Sequence, residues 1–218
     1  MGTGSFDTAS PIVTQAELFL ESCILIVPII PSTKAPCTRP SDNSPWIVTE
    51  PGDAFVVLEQ CRRKWGDVGL AASLHPRSAL VCVDVDKDTP EGRAWLAEHG
   101  VPTLRDLAAW VCRTPRGGLH IHFYWSSWID ESSPQRLVKV DGLPIDLLAK
   151  GQAIVPPTPG YTWFPGHSPE DIPAGLLAEV PHTLRERWGQ AANPGPSRNG
   201  APQTDSWLAG ILSQAIPE

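Results

Sequence analysis

Apolar and polar residues alternate with a period of two in two stretches of the chain. In Leu80-Val81-Cys82-Val83-Asp84-Val85-Asp86, the three valines share one face. Leu80, Cys82, Asp84 and Asp86 share the other, because side chains alternate along a strand. In Leu119-His120-Ile121-His122-Phe123-Tyr124-Trp125, the histidines and Tyr124 leave one face and Leu119, Ile121, Phe123 and Trp125 the opposite one. Both patterns predict strands. Shorter apolar runs predict further strands at Ile24 to Ile30, Val68 to Ala71 and Ala108 to Arg113. Leu143 to Leu148 and Ala153 to Val155 read as a strand pair around Lys150-Gly151, ended by Pro156-Pro157.

Other segments carry helical signals. Thr14 with Glu17 three places on is a capping box, predicting a helix to about Ser22. Ala54, Val57, Leu58, Cys61 and Trp65 recur at helical spacing and predict a helix over about Asp53 to Lys64. Thr89-Pro90 pairs an N-cap with a proline at the first helical position, and Gly100 supplies the stop. Leu176 to Trp188 predicts one or two short helices. Between these elements lie a Pro/Ser/Thr-rich loop over Pro31 to Pro45 and a polar loop over Ser126 to Arg136. The expected organisation is a loose leader over residues 1–13, one domain over 14–190 and a flexible linker over 191–204. Residues 205–218 read as a terminal helix or the start of a further domain.

Composition narrows the class. Of 218 residues, 41% are hydrophobic and 19% charged, the balance of a globular chain. A net charge of −7 argues against a protein that coats duplex nucleic acid through a basic surface. It leaves room for a local basic groove. The five cysteines form no C-x-x-C pair, which argues against a structural zinc site or a disulfide framework. Cys61, Cys82 and Cys112 sit in apolar periodic segments and read as small core residues. A reducing, cytoplasmic setting is the expectation. No stretch is long and apolar enough to span a membrane.

Candidate chemistry sits on the strands. Asp84 and Asp86 leave one face roughly 6.6 Å apart along the strand. Two acids on an apolar strand are costly without a cation, and hard oxygen ligands suit Mg²⁺ or Mn²⁺. The plainer reading is a strand that runs out into a solvated acidic turn. Asp146, between Ile145 and Leu147, is expensive to bury without a cation or a hydrogen-bond donor. His120 and His122 could chelate a transition metal or face water from an edge strand, and no nearby Glu or third His completes a zinc site. Arg116-Gly117-Gly118 is turn chemistry, and it also suits close backbone approach to a phosphate.

Taken in order, these motifs resemble a known family. Val83-Asp84-Val85-Asp86, then Thr114-Pro115-Arg116-Gly117-Gly118-Leu119-His120, then Ile145-Asp146 followed by Val155-Pro156-Pro157, resemble the archaeo-eukaryotic primase superfamily. The likeness is narrower to the bifunctional DNA primase/polymerase (Prim-Pol) domain of plasmid, phage and other replication proteins. Val27-Pro28, Lys34-Ala35-Pro36, Trp65 to Leu70 and Tyr161-Thr162-Trp163 extend it over about residues 14 to 188.

The resemblance implies an α/β (α+β) fold: a mixed, mostly antiparallel sheet with flanking helices and an RRM-like catalytic module. It implies template-directed primer synthesis and extension, with Asp84, Asp86 and Asp146 holding two Mg²⁺ or Mn²⁺ ions. His120 would contact the nucleotide phosphates, and Arg116, Gly117 and Gly118 would shape that pocket. Lys34, and less directly Arg39 or Lys150, would add positive charge. Implied partners are a single-stranded DNA template, nucleoside triphosphates, and a helicase or further C-terminal domain. Two departures stand out. Gly118 occupies a place where the superfamily often has a small hydroxyl residue, and Asp146 lies in a more apolar context than the family's third acid. The rival readings are a metal-dependent phosphodiesterase or nuclease, and a non-catalytic nucleotide- or single-strand-binding module.

Overall fold

The computed structural model describes residues 10–125 and 136–192. Two antiparallel sheets and four α-helices make up this part of the chain. The expected leader over residues 1–13, the linker and the terminal helix fall wholly or largely outside the described residues, as does the polar loop after Trp125.

The smaller sheet has the order β2-β1-β3-β9, with β1 at Ile26–Ile30, β2 at Ala35–Pro36, β3 at Gly69–Leu74 and β9 at Gly151–Val155. The larger has the order β10-β5-β6-β4-β8-β7. Its strands are β4 (Leu80–Val85), β5 (Trp110–Arg113), β6 (Leu119–Tyr124), β7 (Arg136–Leu137), β8 (Ile145–Leu148) and β10 (Thr162–Trp163). Helices α1 (Pro11–Glu21), α2 (Ala54–Trp65), α3 (Pro90–Glu98) and α4 (His182–Ala192) flank the sheets. No described helix is long and apolar enough to cross a membrane.

Period-two alternation sorts the residues of the larger sheet as expected. Val81, Val83, Val85, Ile121, Phe123, Ile145 and Leu147 point to its back, where Trp95 of α3 and Leu184 and Trp188 of α4 cover them. Leu80, Cys82 and Trp110 point to the front and pack with α1, α2 and the smaller sheet. Phe19 meets Trp110 edge to face at 5.4 Å. Fully burying a side chain of this kind is worth roughly 1.5–3 kcal/mol. A third cluster joins Val27, Ile29, Ala71 and Ile154 of the smaller sheet to Cys112 and Tyr161, so the front of the larger sheet closes against the smaller one on the β5 side.

Three expectations are corrected. The first helix starts at Pro11, just after Ser10, and not at a Thr14 capping box. Proline at the first turn loses no hydrogen bond and presets the backbone, so it outweighs the threonine signal. The runs 143–148 and 153–155 do not pair with each other. β8 joins β4 in the larger sheet and β9 joins β3 in the smaller, with Gly151 at φ +105° where the chain passes between them. The single expected sheet is therefore two. The α3 prediction holds in detail: Thr89 Oγ1 accepts from Gly92 N at 3.1 Å, and Gly100 takes φ +89° beyond the last turn.

Candidate active site

Backbone pairing assembles the site. β4 lies between β8 and β6, and its Asp84 stands directly opposite Asp146 on one side and His120 on the other. His120 in turn stands opposite Cys112 of β5. Directly opposed residues of antiparallel strands share a face, with Cβ atoms roughly 4.5–5.5 Å apart. One rung of the sheet therefore reads Asp146, Asp84, His120, Cys112 on the front face. The next rung reads Leu148, Cys82, His122, Trp110. Asp86 lies just past the end of β4, exposed, with its N–H donating to Pro144 O at 2.9 Å.

The environments of these groups differ. Asp146 is buried, and its Oδ1 accepts from Lys139 N at 2.9 Å. Asp84 is half-buried, and its Oδ1 lies 3.5 Å from His120 Nε2. His120 Nδ1 lies 2.9 Å from Ile154 O of β9. A carbonyl only accepts, so Nδ1 carries a proton and donates. In the neutral ring Nε2 is then bare and faces a carboxylate oxygen. Burial pushes the His120 pKa down, and the charges of Asp84 and Asp86 pull it back up. A proton or a cation between Nε2 and Oδ1 resolves the opposition of two acceptors.

The second rung is drier. His122 is fully buried, its Nδ1 donates to Trp110 O at 3.3 Å, and its Nε2 has no hydrogen-bond partner among the described residues. Burial, with the neighbouring His120 adding, pushes the His122 pKa down to about 3. Burial likewise raises the Cys82 thiol well above its ordinary value, with the Asp84 charge adding to it. Cys112 is pushed up to about 12, chiefly by burial.

Other predicted residues form the rim or stand apart. Lys34 sits in the β1–β2 turn at φ +60°, and its Nζ lies 5.9 Å from the centre of the Tyr161 ring. That ring lies 5.7 Å from the His120 ring, so Lys34, Tyr161 and His120 follow one another along the edge of the front face. The turn joining β5 to β6 is closed by Gly118 N donating to Thr114 Oγ1 at 3.1 Å and Gly117 N donating to Thr114 O at 3.0 Å. Gly117 takes φ +82°, a conformation that favours glycine. Arg116 is exposed in this turn. A Cβ on Gly118 would collide with Val85 O and lie 2.8 Å from Asp86 O. The missing hydroxyl therefore has a steric reason: this turn packs directly on the backbone that carries the acids.

Arg39 lines a separate cavity with Trp46, Asp53 and Gln60. Lys150 lies near enough to His75 to help lower its pKa, behind burial and Arg77. Sequence reasoning missed Cys82 as a partner of the histidines, because its place opposite His122 depends on pairing between distant strands. It also gave Tyr161 no role. No protein-family model matches the chain, and no curated protein matches it.

Proposed function

We propose that the chain is a nucleotidyl transferase of the primase/polymerase kind, which extends or starts primers on a single-stranded DNA template from nucleoside triphosphates. The observation that carries this reading is the rung Asp146, Asp84, His120, with Asp86 one step beyond on the exposed end of the same strand. Phosphoryl transfer needs positioning and charge neutralisation more than covalent chemistry, and a row of acids ending in a phosphate-facing group provides both.

The donor set fits a pair of hard divalent ions. Two carboxylates held as direct cross-strand neighbours repel one another, and oxygen ligands of this kind favour Mg²⁺ or Mn²⁺. Asp84, Asp86 and Asp146 would hold them. Bound there, the ions supply a lowered pKa for the primer 3′-hydroxyl and neutralise the triphosphate and the departing pyrophosphate. Asp146 is kept in place by Lys139 N and by its buried position in β8.

His120 meets the phosphates through Nε2, because Nδ1 is committed to Ile154 O. Triphosphate charge favours the protonated ring, so the group that is bare in the free protein becomes a donor when nucleotide arrives. The tilted contact with the Tyr161 ring and the bond to β9 fix the ring's direction. Lys34 brings an ammonium to the same edge. Gly118 packs on the carbonyls of Val85 and Asp86 at the end of β4, and the open space lies beside Gly117, where the turn can face a phosphate.

The test is incubation of the chain with a single-stranded template, labelled nucleotides and Mg²⁺ or Mn²⁺, with and without a primer. Extension products and released pyrophosphate are expected. Cleavage of the template with no pyrophosphate would replace this reading by a nuclease, and nucleotide binding without either product would replace it by a binding module.

A further inference from the structure

The second rung holds chemistry that nucleotidyl transfer does not use. Cys82, His120 and His122 are all buried, and one ligand-capable atom from each lies within 4.8 Å of the other two. Cys82 stands directly opposite His122 across β4 and β6, with His120 on the diagonal. We propose that Cys82 Sγ, His122 Nε2 and His120 Nε2 form a binding site for a borderline transition ion such as Zn²⁺, separate in chemistry from the hard-ion site of the acids.

Three observations support this. The first is the donor set. One thiolate and two imidazoles suit zinc-like ions and are poor ligands for Mg²⁺. The second is orientation. Both histidines face a backbone carbonyl with Nδ1, His120 that of Ile154 at 2.9 Å and His122 that of Trp110 at 3.3 Å. Metal-ligating histidines are typically oriented in this way, with one ring N–H donating to a carbonyl while the other nitrogen binds. The third is the orphaned atom. His122 Nε2 is fully buried with no hydrogen-bond partner among the described residues, a costly state that an ion removes.

The dimensions suit the purpose. Ligands at about 2.0–2.3 Å around a tetrahedral ion lie roughly 3.3–3.8 Å apart. Closing the cluster from 4.8 Å asks for shifts of about an ångström, within reach of side-chain adjustment. Zn²⁺ with one thiolate keeps one positive charge, and Asp84 Oδ1, 3.5 Å from His120 Nε2, offsets it. Binding releases the Cys82 thiol proton to solvent and forms one sulfur–metal and two nitrogen–metal bonds, with no oxidant or reductant required. The bound ion takes His120 Nε2 away from Asp84, so ion and nucleotide exclude each other on that atom.

The site is tested without nucleotide, so its failure is distinct from failure of the proposed activity. Tag-free protein is stripped with chelator and titrated with Co²⁺, and the zinc-loaded protein is measured by X-ray absorption. A thiolate-to-cobalt charge-transfer band saturating at one equivalent is expected, with a zinc shell of one sulfur and two imidazoles. Cys82→Ser should lose the band and weaken Zn²⁺ binding by at least the roughly 10–100-fold that losing a mere orienting partner costs. Cys23→Ser, at the exposed cysteine, should keep it. A sulfur-free shell or absent band in the wild type, or a band that survives in folded Cys82→Ser, would overturn the site. Should Cys82→Ser not fold, the wild-type zinc shell decides alone.

Discussion

Asp84 and Asp146 face each other across β4 and β8, far apart in the chain and direct neighbours in the sheet. The proposed hard-ion site follows from that pairing. A register shifted by one residue would turn Asp146 into the back core beside Val83 and turn Ile145 and Leu147 out of it.

Replacing either acid by its amide tests their role with little change of shape. Asp146→Asn keeps an oxygen to accept from Lys139 N. Each variant should lose primer extension by roughly 10²–10³-fold or more, the several kcal/mol that positioned divalent ions contribute. Thermal midpoints should stay within a few degrees of wild type. Full extension by either folded variant would remove that acid from the mechanism.

Lys34 and His120 are expected to act on nucleotide binding. His120→Ala should chiefly raise the nucleotide KM, and an unchanged KM would count against a phosphate role. Lys34→Gly should separate charge from backbone strain. Lys34 holds φ +60°, which costs a non-glycine residue about 1–2 kcal/mol. The glycine variant should therefore melt slightly higher while its KM rises several-fold. A higher melting point with unaltered KM would leave Lys34 a turn residue only.

Gly118→Ala should disturb both stability and site. Its Cβ meets the carbonyls of Val85 and Asp86, which are backbone and yield only by moving the strand end. Overpacking of this kind costs about 1–3 kcal/mol, at roughly 2–4 °C of Tm per kcal/mol in a chain this size. Extension should fall further than the melting shift explains, because Asp86 moves with the carbonyls. Calorimetry and extension rates on the same preparation check both halves; a variant indistinguishable from wild type would show that the turn has slack.

Acid should destabilise the protein partly through His122. The unfolded ring titrates near 6.5 and the folded one near 3, held down by burial. Above pH 6.5 both states are neutral and the contribution is whole. As pH falls from 6.5 toward 3 the unfolded state takes up a proton that the folded state refuses, and stability drops by about 1.4 kcal/mol per unit. Denaturation between pH 7 and 5 in the presence of chelator should show a shallower loss in His122→Phe, by up to one proton's worth of slope. Equal slopes would mean the ring is not held neutral.

The sequence carried the parts that depend on near neighbours. Alternation along β4 and β6 assigned faces correctly, since a side chain's direction in a strand is set by its own backbone. Thr89-Pro90 and Gly100 bounded α3 because capping is satisfied within one turn. The candidate acids and His120 were legible as polar positions in apolar strands. Tertiary structure decided what sits beside what. Strand pairing is made by hydrogen bonds between distant segments, and a local pattern contains no information on which partner is chosen. That choice divided β8 from β9, set Asp84 between Asp146 and His120, and brought Cys82 against His122. It also placed the Val85 carbonyl where a side chain on residue 118 would stand, so that only glycine fits.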